Sequence, residues 1–182
     1  NLYMENILSL TKKFISIPST KDNLKELSRI IEHAKEEVSD FPFKYYISNN
    51  KPSLFIYNTT HFPEKCKLIL NAHLDVVPGI AKQYQPYEKS GKLYGRGAAD
   101  MKSAAATMIY VFNDIAKKIK YPLGLQLTTD EEVGGYNGTD HQIAQGINAD
   151  FVISGESTNL GINSKAKGIL LIKIIAKGKS GH

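Results

Sequence analysis

A chain of 182 residues, 42% of them hydrophobic, can bury one substantial core, which excludes a disordered protein. Its net charge of +5 comes from Lys and Arg scattered among Asp and Glu, a solvated surface and not the basic block of a nucleic-acid or membrane binder. No apolar stretch reaches the roughly 18 residues a membrane span needs, no signal-peptide core opens the chain, and the single cysteine, Cys66, excludes an intrachain disulfide, so a reducing cytoplasm is the expected compartment.

Asn1, Leu2 and Tyr3 precede a native-like start at Met4 and are set apart from the fold. Apolar residues at helical spacing (Ile7, Leu8, Leu10, Phe14, Ile15) predict a helix over 4–17, which Pro18 blocks. Asp22 is the expected cap of a second helix that places Leu24, Leu27, Ile30, Ile31, Ala34 and Val38 on one face. Strands are expected over 44–47, 53–58 and 67–72, the last wholly buried with Cys66 as a small buried side chain before it. A helix follows over 101–120, Ala-rich at its start and basic at its end, then a strand over 123–129, a helix over 139–145 and a strand over 151–154. A last β-branched run over 169–176 reads as the first strand of a further unit. This alternation predicts an α/β fold with a sheet covered on both faces.

Each chemical cluster falls just after a predicted strand or at a helix mouth, where open α/β sheets gather their ligand-binding groups. In His73-Leu74-Asp75, alternate residues of an extended segment point the same way, so the carboxylate can hold the imidazole for a metal; taken alone, the spacing also reads as a structural His–Asp pair. Gly95-Arg96-Gly97-Ala98-Ala99-Asp100 superficially matches a dinucleotide loop, but Asp100 stands where the third glycine belongs and repels a phosphate. A cation suits that position better, with a plain helix cap as the alternative. Asp130-Glu131-Glu132 sets three carboxylates together at a strand exit, which is costly without a cation; one can ligate while its neighbour takes a proton from water. Glu156, in Gly155-Glu156-Ser157-Thr158, ends the series. The mixed imidazole and carboxylate set suits zinc, with cobalt or manganese also accommodated, and is too soft for a dedicated calcium site.

In that order, and from about residue 17 to 182, these motifs resemble the family of dinuclear-zinc exopeptidases and deacylases that includes succinyl-diaminopimelate desuccinylase, acetylornithine deacetylase, aminoacylase and glutamate carboxypeptidase. The resemblance implies a zinc-exopeptidase-like mixed sheet flanked by helices, incomplete here, followed by the first strand of an α+β lid or dimerisation domain. It divides the chain into residues 1–166, the N-terminal part of the metal-binding catalytic domain, and 167–182, the start of the lid. By similarity, His73 and Glu156 bind one of two Zn²⁺ ions, Glu132 the other, and Asp100 bridges both; Asp75 orients His73, Glu131 is the general base, and the peptide bond after Asp100 is cis. His182, at the end of Lys177-Gly178-Lys179-Ser180-Gly181-His182, matches the lid histidine that steadies the oxyanion, often across a homodimer.

The implied reaction is hydrolysis of the amide bond of an N-acyl amino acid or small peptide, desuccinylase-like or deacetylase-like, by metal-activated water. Family members run well past residue 182 to a late histidine that completes the second metal site, and His33, His61 and His141 lie outside the motifs that would replace it. Asn163-Ser164-Lys165-Ala166-Lys167-Gly168 also lacks the paired arginines of true desuccinylases. Two other readings remain open: a truncated, inactive or scaffold protein of the same fold, and a two-metal phosphoesterase.

Overall fold

The computed structural model of the chain describes residues 2–165, 172–175 and 177–178. Helix α1 (Leu2–Ile15) begins earlier than its apolar pattern predicts, because Leu2 and Tyr3 form its first turn and the Tyr3 hydroxyl donates to Asp114 Oδ1 at 3.1 Å. These residues belong to the fold. Helix α2 (Leu24–Glu36) is capped at Asn23, not Asp22: the Asn23 carbonyl receives the amides of Glu26 and Leu27 while its side chain turns back to the Pro18 carbonyl.

Strands β1 (Phe43–Ser48) and β2 (Lys51–Tyr57) form a hairpin through Asn49 and Asn50, both at positive φ, the two-residue turn that suits strand twist and that Asn tolerates. Strand β3 (Cys66–His73) follows, then a small separate hairpin of β4 (Tyr87–Lys89) and β5 (Lys92–Tyr94), held by stacking of Tyr87 on Tyr94 at 5.1 Å. Helix α3 (Ser103–Ile115) is shorter at both ends than its composition suggests. At its start Asp100 and Met101 have non-helical backbone angles and the peptide between them is cis, as the resemblance implies. At its end the chain unwinds into turns ahead of Tyr121-Pro122. Strand β6 (Leu123–Thr128), helix α4 (Thr139–Ala144) and strand β7 (Ala149–Ser154) complete the regular elements.

The five main strands form one mixed sheet in the order β1-β2-β6-β3-β7, antiparallel on the β1 side and parallel among β6, β3 and β7. Period-two alternation sorts the strand residues between two faces. Leu54, Ile56, Leu70, Ala72, Leu123, Leu125 and Leu127 meet α1, α2 and α3 in the main core, where each large side chain contributes about 1.5–3 kcal/mol. On the other face Phe55, Tyr57, Cys66 and Ile69 pack with Ile147, and α4 joins the sheet through Gln126 Nε2 donating to Gln142 Oε1. Gly124 sits on this face because a Cβ there would lie 2.7 Å from the Phe55 ring. Burial pushes the Cys66 thiol up to about 11, so it behaves as a small core residue.

Both sheet edges show apolar side chains to solvent: Phe43, Tyr45 and Ile47 on β1, and Phe151, Val152 and Ile153 on β7. No helix among the described residues is long and apolar enough to cross a membrane. Of the strand expected over 169–176, residues 172–175 lie in no regular element, and the remainder falls outside the described residues, as does His182.

Candidate metal centre

Because β3, β6 and β7 run parallel and in register, with His73 opposite Thr128 and Asn71 opposite Ser154, their carboxyl ends open on one rim. His73 is the last residue of β3. The exit of β6 leads through Thr129 and Asp130 into a single 3₁₀ turn, Glu131–Val133, and the exit of β7 leads to Gly155 and Glu156. Asp100 enters from a fourth direction, in the turn Ala98–Lys102 that precedes α3. That turn lies close under the β7 exit: a Cβ on Gly155 would come within 2.9 Å of Met101 Cε.

One atom each of His73, Asp100 and Glu156 falls within 4.8 Å of the others, a three-donor group suited to a cation. The His73 imidazole is buried, and its Nε2 faces Asp100 Oδ1 at 3.1 Å, Glu156 Oε1 at 3.7 Å and Glu131 Oε2 at 3.8 Å. Its Nδ1 is 3.0 Å from the Asp75 carbonyl oxygen, which fixes the ring with Nε2 turned to the carboxylates. Glu132 stands outside this group and instead lines, with Asp100, Gly97 and Val77, an adjoining cavity of about 180 Å³. Of the residues singled out in the sequence, His73, Asp100, Glu156 and Glu131 therefore converge, Glu132 adjoins them, and Asp75 lies behind.

The electrostatics follow from crowding five carboxylates around one imidazole. Burial works to lower the His73 pKa, but the hydrogen bond and charge of Asp75, with Glu156 and Glu131 adding, outweigh it and hold the ring up at about 9. To serve as a ligand, Nε2 would have to give up its proton. Burial first, then neighbouring carboxylates that include Asp100, raises both Glu132 and Glu156. A divalent cation removes that repulsion, and one imidazole with carboxylates from separate elements is a donor set that zinc, cobalt or manganese takes. The residues present thus fit the metal the motifs imply.

Asp75 does more than the sequence indicated. Its carboxylate is 3.4 Å from His73 Nδ1, farther than its own carbonyl, while its two oxygens accept the backbone amides of Glu131 at 3.2 Å and Glu132 at 3.1 Å. One buried side chain thereby fixes the ring on β3 and the acidic turn after β6. In Asp75→Asn an NH₂ group must face one of those amide donors. We expect zinc affinity to fall about 10- to 100-fold, as when an outer partner of a ligand is lost, measured by chelator competition.

Two further residues escaped sequence reasoning. Asp130, read as one of three equivalent carboxylates, is buried and accepts the Asn137 amide at 2.7 Å, bracing the loop behind Glu131; burial chiefly raises its pKa. Lys102 is fully buried, its ammonium drawn down to about 7 by that burial against the pull of Asp75 and Glu26. Side-chain burial next to a ligand motif has no periodic signature, so only packing reveals either role.

Comparison with known proteins places these observations in one group. The chain is 34% identical over 144 residues to the succinyl-diaminopimelate desuccinylase of Nitratiruptor sp., covering 76% of this chain and 38% of that protein. It is 32% identical over 198 residues to the enzyme of the same name from Janthinobacterium sp., covering 98% of this chain and 52% of that protein. The chain thus spans at most about half the length of these relatives. Its fold matches human carnosine dipeptidase 1 (TM-score 0.66, 19% identity, 84% of this chain and 38% of that one) and the M20 family metallo-carboxypeptidase Sso-CP2 of Sulfolobus solfataricus (TM-score 0.66, 18% identity, 82% and 37%). Residues 69–169, which hold every one of the converging side chains, match the family described as peptidase family M20/M25/M40, and the chain belongs to that family.

Proposed function

We propose that this chain carries the catalytic machinery of a zinc-dependent hydrolase that cleaves the amide bond of an N-acyl amino acid or small peptide, with desuccinylase-like or deacetylase-like substrates. The observation that carries the reading is the convergence of His73, Asp100 and Glu156 within 4.8 Å, with Glu131 Oε2 3.8 Å from His73 Nε2. His73 and Glu156 would hold one ion and Glu132 a second, with Asp100 placed to serve both; the cavity shared by Asp100 and Glu132 supports the second position. When bound, the metal supplies Lewis acidity, making water acidic near neutral pH and polarising a carbonyl oxygen.

The chain's own residues do the rest. Glu131 takes a proton from water as its oxygen attacks the acyl carbon, and returns it to the departing amine, giving a carboxylate and an amine. Asp75 keeps the Glu131 backbone and the His73 ring in a fixed relation while this happens. In this reading residues 1–166 belong to the catalytic domain and 167–182 begin a lid through which the protein forms a homodimer, with His182 steadying the oxyanion. A reducing cytoplasm suits its single buried cysteine.

The test is a substrate panel on the zinc-loaded protein: N-succinyl and N-acetyl amino acids, dipeptides and phosphate esters. Turnover of at least one amide class with none of the esters is the expected result. Ester turnover without amide turnover makes the site a phosphoesterase, and a chain that retains no zinc after gel filtration removes the hydrolase reading.

A further inference from the structure

We propose that Lys102 is a positioning residue of the metal centre, its buried ammonium tying the turn that carries Asp100 to the end of helix α1. The inference rests on the metal-centre reading given above. Lysine is among the least favoured residues for full burial, and a packing role alone is better filled by Met or Leu. Here the side chain is 0% exposed and its Nζ donates to the carbonyls of Phe14 and Ile17, each at 2.8 Å. Its backbone amide donates to the Gly97 carbonyl at 2.9 Å, closing the turn in which Asp100 sits. The turn folds tightly over the lysine stem: Gly97 has φ +81°, and a Cβ there would lie 2.9 Å from Lys102 Cδ and 2.7 Å from Val76 Cγ1.

The same stretch after α1 also grips the other ligand-bearing segment. The Ser19 hydroxyl donates to the Leu74 carbonyl at 2.6 Å, and the Val76 amide donates to the Ser19 carbonyl at 3.0 Å, on either side of Asp75. Residues 14–19 therefore form a common frame. Lys102 fixes Asp100 to it, and Ser19 fixes the loop through which Asp75 holds His73 and Glu131. The carboxylate of Asp100 is largely exposed, so its own side chain has little else among the described contacts to set its direction toward His73. Sites of this kind tolerate misplacement of only about half an ångström, so a buried two-point anchor beside Asp100 bears on metal binding.

Cobalt chloride is the probe, because the visible absorption of bound Co²⁺ reports its ligand geometry. In Lys102→Met, which keeps the stem and removes the donors, cobalt affinity is expected to fall at least about tenfold and the absorption band to change in shape and intensity. Ile109→Val, in the buried face of α3, serves as a stability control: it is expected to lower the melting temperature with affinity and spectrum unchanged. A Lys102→Met protein with wild-type affinity and spectrum overturns the role of Lys102 and leaves the metal centre standing; a wild-type chain that takes up no cobalt overturns both. Should Lys102→Met fail to fold, hydrogen exchange of the wild-type chain decides. Zinc is expected to slow exchange over residues 14–19, none of which is a ligand, and slowing confined to 97–104 overturns the proposal.

Discussion

Asp100→Ala is expected to lower the affinity for zinc by about two to three orders of magnitude, the largest loss from any single carboxylate of this site. Dividing the roughly 10–16 kcal/mol of a four-ligand structural zinc site among its ligands gives about 2.5–4 kcal/mol each, and every 1.4 kcal/mol is tenfold. Asp100 exceeds an average share because, among the described carboxylates, it reaches both places: it lies 3.1 Å from His73 Nε2 and lines the cavity with Glu132. The metal-free chain should respond in the opposite sense. Asp100 is one of the charges that raise Glu132 and Glu156, so removing it relieves repulsion. In a chelator the variant should therefore melt no lower than wild type, while the upward shift that zinc gives the wild-type chain disappears. Differential scanning with and without zinc checks both halves. An unchanged zinc shift in Asp100→Ala contradicts the bridging role.

The contrast between Asp100 and its neighbours explains how far the sequence could be read. His73, Glu131 and Glu156 were legible because the parallel strands β3, β6 and β7 end on one rim, so a reactive residue at or just past a strand's end is placed by topology before any contact is known, whereas Asp100 was legible from the glycines before it and the helix it opens. By contrast β6 alternates Leu with Gly, Gln and Thr, so its sequence announces a strand, and only packing shows that it is buried on both faces. The hairpin of β4 and β5 carried a weaker signal: three residues on each side of Ser90 and Gly91, too few for periodicity to register. Helix α3 misled at its start because Met101 and Lys102 lead straight into the Ala-rich run, yet the backbone at Asp100 and Met101 is non-helical and regular helix begins only at Ser103. What the sequence could not disclose is which polar side chain turns inward. Asp130, Glu131 and Glu132 are adjacent and chemically alike, but one braces a loop, one faces the imidazole and one lines the second cavity.

That three-way division leads to the other large expected effect. Glu131→Gln should reduce turnover by about 10²- to 10⁴-fold, the usual contribution of a general base, in any form of the protein that hydrolyses an N-acyl amino acid. Gln keeps the volume and the backbone amide bound to Asp75, and removes only the capacity to accept a proton. Zinc content should stay at the wild-type level, because in the proposed mechanism Glu131 handles the proton of water and is not a ligand. Glu132→Gln is the informative comparison: Glu132 itself shares a cavity with Asp100, so its substitution should cost metal as well as rate, and added zinc should restore part of the activity. Added zinc should restore nothing to Glu131→Gln, whose deficit lies in proton transfer. The adjacent pair thus separates binding from chemistry by one position in the chain. If Glu131→Gln loses zinc while Glu132→Gln keeps it and stays inactive, the two roles are exchanged and the acidic turn carries its base one residue later.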